Sequence, residues 1–227
     1  MKAQNDFEKD IIKTSGGDLE ITFIGHGTIM FRFNDLVIHV DPVAGSAEYS
    51  QLPKADIILV THQHGDHFSR EALDMISTTN TVTIITEKIA GEYTGGTIMK
   101  NWDTKEVKGL KIQAVPAYNV VHKRDNGVPF HPKGEGNGYV ISFADMKVYI
   151  GGDTENFPEM KNIPPIDIAF LPMNLPYTMT PQMVADAARV LKPIILYPYH
   201  FGNTDTNELL NLLKNEKGLE VRIRNMR

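Results

Sequence analysis

Thr61-His62-Gln63-His64-Gly65-Asp66-His67 places three histidines and one aspartate within residues 62–67. It follows Ala55–Val60, a run of strand length that is apolar but for Asp56 near its start and whose lack of polar alternation suits a strand covered on both faces. It precedes Ser69–Ser77, which reads as a helix with Ser69 as N-cap and Ala72, Leu73 and Ile76 on one face. In an extended loop, side chains two apart point the same way, so His62 and His64 can present imidazoles to one metal ion. Gly65 lets the chain turn, after which Asp66 and His67 can face a second ion. A single histidine in a polar loop is usually a solvated surface group, but four candidate ligands at this spacing favour a metal site.

Working outward, Leu19–Ile24, Ile29–Phe33 and Leu36–Val40 read as three successive strands, with Asn34-Asp35 as a hairpin turn. Further strands are expected at Thr81–Thr86, Leu110–Val115, Gly138–Phe143, Lys147–Ile150, Asp167–Leu171 and Ile194–Tyr197, with Glu220–Arg224 as a last edge. Thr180-Pro181 predicts a capped helix with Val184, Ala187, Ala188 and Leu191 as its apolar stripe, and a second helix is expected over Asn207–Lys217, stopped by Gly218. Two of these strands end in further ligand types. Asp153 follows Gly151-Gly152, and His200 follows Pro198-Tyr199. The segment Pro116–Gly138 reads as a long loop rich in Gly, Pro, His and Lys, and loops of that length are usually functional or disordered.

The 227 residues are 41% hydrophobic and 22% charged, the profile of one globular domain, expected over 19–227 after a polar leader at 1–18. A formal net charge of -5 argues against broad phosphate neutralisation, so no nucleic-acid partner is expected. The chain has no cysteine, which excludes disulfides, thiolate ligands and a cysteine nucleophile. No apolar stretch reaches the ~20 residues that span a bilayer, so no membrane partner is expected either. The expected location is the cytoplasm if Met1 is the natural start, or the periplasm if an export signal was removed. The expected partner is a small-molecule substrate, and a homo-oligomer stays compatible with the sequence.

His62-x-His64-x-Asp66-His67, the later Gly152-Asp153, the terminal His200 and Asp41-Pro42 after a strand together resemble the metallo-β-lactamase superfamily, over about Ile21 to His200. The resemblance implies an α/β fold, an αββα four-layer sandwich with metals at one edge. Ile24-Gly25-His26-Gly27-Thr28, Pro116-Ala117-Tyr118-Asn119 and Tyr177-Thr178-Met179 look like the small metal-dependent hydrolases related to ascorbate-6-phosphate lactonase. Carried over, His62 and His64 bind the first metal, Asp66, His67 and His200 the second, and Asp153 bridges them. The family's third histidine for the first metal has no counterpart near Tyr118-Asn119. The candidates are His131 and His122, with His131 preferred because the Gly-rich run after it leads back into the strand at Gly138. Asp41 resembles a buried carboxylate that fixes a ligand imidazole, with a plain turn residue as the alternative. His26, Tyr118, Asn119, His122 and Tyr177 are candidates for the pocket wall, and His39, between Ile38 and Val40, reads as a packed histidine. Lys123, Arg124 and Lys133 are candidates to meet an anion, although most basic loop residues are merely solvated.

Two divalent ions roughly 3.5–4 Å apart can hold a water, lower its pKa and supply hydroxide, with Asp66 placed to move the proton. Zinc suits such a histidine-rich set, and manganese or iron are also admitted. The expected reaction is hydrolysis of a small ester or lactone, phosphorylated or not. A phosphodiesterase on a nucleotide-like or phospholipid-like substrate is the alternative, and a non-catalytic metal-binding or redox protein of the same fold is the rival of another class.

Overall fold

The computed structural model describes residues 6–227. Strands β1 (Glu8–Thr14), β2 (Gly17–Gly25), β3 (Thr28–Phe33), β4 (Leu36–Val40), β5 (Ile57–Leu59), β6 (Val82–Ile85) and β7 (Thr97–Ile98) form one sheet in chain order. Strands β8 (Thr104–Val107), β9 (Leu110–Ala117), β10 (Gly136–Phe143), β11 (Met146–Ile150), β12 (Ile168–Pro172), β13 (Ile195–Tyr199) and β14 (Glu220–Val221) form the second, also in sequential order. Each sheet begins antiparallel and ends parallel, with the change at β4 in the first and β11 in the second. Helix α1 (Arg70–Ile76) joins β5 to β6, α2 (Pro181–Leu191) joins β12 to β13, and α3 (Thr206–Leu213) joins β13 to β14.

Alternation along the buried strands builds the layers. Ile57 and Leu59 of β5 face the main core between the sheets, whereas Ile58 and Val60 face a second cluster with Ala72, Leu73 and Ile76 of α1. A two-residue period thus serves both faces of one strand, which is why Ile57–Val60 is apolar throughout. Full burial of each such Ile or Leu contributes about 1.5–3 kcal/mol. The helix starts follow the expected caps: Ser69 Oγ accepts from the Ala72 amide at 3.3 Å and Thr180 Oγ1 from the Met183 amide at 3.1 Å.

Several expectations need correction. Residues 1–18, read as a polar leader, contain β1, which pairs along its length with β2; Met1 to Asn5 lie outside the described residues. The alternation that betrays most strands is weak there, because Lys9 and Lys13 pair outward with Glu20 and Asp18 and only Ile12 is buried. Asp10 in β1 also reaches the other sheet, accepting from Tyr197 Oη at 2.5 Å and from Arg222 and Arg224. The short strands β7 and β8 were not foreseen. The last strand stops at Val221 rather than Arg224, and α3 stops at Leu213. Among the described residues, no helix is long and apolar enough to cross a membrane.

Candidate metal centre

Parallel strands leave their carboxyl ends at one edge, and the chemistry-bearing residues collect there, as ligand sites do in α/β sheets. Asp41 follows β4, Thr61 and His62 follow β5, Asp153 follows β11 and His200 follows β13. His26, Asp41 and His200 adopt left-handed backbone with φ of 54°, 46° and 47°. Such conformations cost on the order of 1–3 kcal/mol each for non-glycine residues and concentrate at functional sites.

Two groups of ligand atoms result, each lying within 4.8 Å of one another: His62, His64, His131 and Asp153 in the first, His26, Asp66, His67 and His200 in the second. Asp153 lies between them. Its Oδ2 is 3.2 Å from His131 Nε2 and 3.8 Å from His62 Nε2, while its Oδ1 is 3.3 Å from His67 Nε2 and 3.6 Å from His200 Nε2. Asp66 Oδ2 is 3.4 Å from His200 Nε2 and 3.1 Å from His26 Nε2.

The proton on several rings is pinned away from the centre. His67 Nδ1 donates to Asp41 Oδ2 at 2.7 Å, so this buried carboxylate fixes the orientation of the His67 ring. Asp41 also accepts from the amide and hydroxyl of Thr61, and Thr61 Oγ1 in turn lies 3.0 Å from His62 Nδ1. His131 donates through both its amide and Nδ1 to Asn119 Oδ1, at 2.9 and 2.6 Å. In each ring this turns Nε2 toward Asp153. Gly27 allows the approach: a Cβ there would sit 2.6 Å from His67 Cε1.

The charge environment matches. Burial pushes the Asp153 carboxyl up, but His200, His67 and His131 together hold it well below the usual carboxylate range. Asp66 is likewise pushed up by burial and pulled down further by His200 and His26. Burial, reinforced by His67, drives His62 down to the neutral form. His67 moves up despite burial because Asp153 and Asp41 flank it, and the negative field that would hold a proton on Nε2 equally attracts a divalent cation. His67 Nε2, Asp153 Oδ1 and His200 Nε2 are buried with no hydrogen-bond partner. Each unsatisfied buried group costs about 1–3 kcal/mol, and three aimed at one point fit a bound metal.

His122 joins neither group. Its Nδ1 and amide both donate to Glu155 Oε1, at 2.5 and 2.8 Å. Tyr118 does not line the site as expected: its ring packs on Phe157 and its hydroxyl donates to Glu159 at 2.6 Å. Asn119 is buried behind His131 rather than in the pocket wall, and His26 stands within the second group, its ring 3.7 Å from that of His200. His39 is fully buried, with Nε2 donating to the Pro53 carbonyl at 3.2 Å. A cavity of about 350 Å³ opens on both groups through His64, Asp66, His131, Asp153 and His200, and is completed by Arg124, Phe130, Asn174 and Tyr177.

The sequence reading missed Thr61, Asn174 and Glu155. Glu155 is fully buried and accepts from the amides of Val120, Val121 and His122 and from Asn119 Nδ2, so it gathers the loop that holds His131. A carboxylate two residues after Asp153 was the one signal available.

A family model for the beta-lactamase superfamily domain matches residues 20–200. A UPF0173 metal-dependent hydrolase of Thermococcus onnurineus is 33% identical over 197 residues, covering 81% of this chain and 84% of that protein. The crystal structure of a protein from Parabacteroides distasonis, provisionally named a metal-dependent hydrolase, superposes with a TM-score of 0.92 at 46% identity, covering 97% of this chain and all of that one. A metallo hydrolase of the archaeon Ignicoccus hospitalis shares the fold, with a TM-score of 0.74 at 24% identity over 92% of this chain and 95% of that one.

Proposed function

The chain belongs to the UPF0173 metal-dependent hydrolases of the beta-lactamase superfamily, and from that premise we propose that it hydrolyses a small ester or lactone at a pair of divalent cations. His62, His64 and His131 would hold the first ion, Asp66, His67 and His200 the second, and Asp153 both. The observation that carries this reading is the division of one buried carboxylate, with Asp153 Oδ2 turned to His62 and His131 and Oδ1 to His67 and His200. Bound ions would supply Lewis acidity, activating water near neutral pH and polarising a substrate oxygen.

The chain's own residues account for the rest. Asp41 and Asn119 keep the ring protons of His67 and His131 on Nδ1. Asp66, half exposed, is in this scheme the group that would take the proton, at the carboxylate oxygen not turned to His200 and His26. The cavity is of the size that takes a small molecule. Zinc is the preferred metal for so many imidazoles, with manganese or iron as alternatives.

Metal analysis after loading with zinc, manganese or iron, followed by assay against lactones, esters, thioesters and phosphodiesters, tests the proposal. Two ions per chain and turnover of an ester or lactone are expected. Turnover confined to phosphodiesters would move the substrate class, and inactivity on the whole panel with both ions bound would overturn the reading.

A further inference from the structure

Three basic residues surround the loop that carries His131, and the structure separates them. Lys133 is bound to Glu159 and lies 5.0 Å from the centre of the Tyr118 ring, away from the cavity. Lys123 forms a bridge with Pro129 and does not line the cavity either. Arg124 does line it, together with residues of both ligand groups.

An exposed arginine commonly ends in solvent, but three features set Arg124 apart. Its backbone is fixed in a tight hairpin, its amide donating to the Val128 carbonyl and its carbonyl accepting from the Gly127 amide, both at 2.8 Å. Its guanidinium stands 5.1 Å from the centre of the Phe130 ring, and Phe130 in turn packs edge-on against Tyr177 on the far loop. A cation–π contact of this kind engages the charge of the guanidinium rather than its N–H donors, which are left available. Among the described residues no carboxylate pairs with it, and its one hydrogen bond is a long contact of 3.5 Å from Nη2 to the Phe130 carbonyl.

A planar fork of donors with no anion of its own, held at a cavity wall, matches a carboxylate or phosphate oxygen pair. The chain without metal carries a formal charge of -5, and a fixed cation at the cavity wall adds to the local field that draws an anionic group there. We propose that the substrate bears an anionic group beyond the bond that is cut, and that Arg124 receives it, with Phe130 and Tyr177 as the aromatic wall beside it. This rests on the hydrolase reading of the same cavity.

The test compares two esters with one leaving group, mono(4-nitrophenyl) glutarate and 4-nitrophenyl pentanoate, on the metal-loaded protein and on Arg124→Gln and Arg124→Lys. The glutarate ester should be preferred in kcat/KM. Arg124→Gln should reduce that preference by about 10–100-fold, the range for losing a hydrogen-bonded charge, and Arg124→Lys by less. An unchanged preference in Arg124→Gln overturns the proposal. Calorimetric binding of free glutarate and of inorganic phosphate to the same loaded proteins forms a second arm, which decides between the two anions by the larger loss. If neither ester is cut, the hydrolase reading is judged by the full substrate panel and this arm alone decides the role of Arg124. At least tenfold weaker anion binding in Arg124→Gln supports the assignment, whereas equal binding, or none by the wild type at millimolar concentration, refutes it.

Discussion

Replacing Asn119 separates a residue that orients a metal ligand from one that merely holds a loop. Asn119→Ala removes the acceptor of two His131 hydrogen bonds, at 2.9 and 2.6 Å, and two donations, to Tyr177 O at 2.8 Å and Glu155 Oε1 at 3.1 Å. At about 1 kcal/mol for a typical bond, and more for buried groups left unpaired, the protein should lose about 2–4 kcal/mol. For a chain of this size that is a fall in Tm of about 4–16 °C. Freed of its acceptor, the His131 ring can turn, so affinity for the first ion should fall by about 10–100-fold, the usual cost of removing such a partner. Asn119→Asp keeps an acceptor for His131 Nδ1 but sets a second carboxylate against Glu155. It should lose as much stability while retaining most of the metal affinity. Chelator competition and thermal melting of both variants give the two readouts. If both variants bind the first ion like the wild type despite lowered Tm values, Asn119 is a loop anchor alone.

His131→Ala should lower metal occupancy by one ion per chain, whereas His122→Ala should keep both and lose only stability; elemental analysis giving the reverse would reassign the third histidine. Asp153→Asn should disturb both ions, so unaltered stoichiometry with normal turnover contradicts its shared role. Gly27→Ala should weaken metal binding by forcing the His67 ring to move, and full occupancy with native stability would show that the ring has room. Burial drives the His39 imidazole from 6.5 down to about 4. The unfolded chain then takes up the proton first, so this residue costs nothing above pH 6.5. As pH falls toward about 4 it removes up to about 1.4 kcal/mol per unit, and the loss levels off below. Urea unfolding of wild type and His39→Leu across that range should show a shallower acid limb in the variant, and parallel curves would refute the assignment.

The fold was legible where burial and side-chain period agree. Ile57–Val60 and Ile168–Leu171 are apolar on both faces because both faces are covered, and the core helices announce themselves through Ser69, Thr180 and Pro181. Edge strands were not legible. In β1 and β8 most side chains point to water, so the apolar rhythm disappears and only backbone pairing defines them. Local signals also overran the ends: Arg222 and Arg224 lie past the last ladder, their guanidiniums reaching back to Asp10, a contact 212 or more positions away that no window of sequence contains.

In the site, the residues that bear lone pairs were visible and those that aim them were largely not. His62, His64, Asp66 and His67 share one short motif, while Asp153 and His200 stand at strand ends, a placement that chemistry and topology both favour. The choice of His131 over His122 turned on a loop, and the structure shows why spacing could not decide it. Both rings donate from Nδ1, one to Asn119 and the other to Glu155, and these two acceptors are themselves bonded to each other. Glu155 draws His122 away from the centre and holds Asn119 in place, and Asn119 turns His131 Nε2 toward Asp153. Which of the two rings joins the first group is therefore set by a buried carboxylate 24 positions further along the chain, itself a member of neither group.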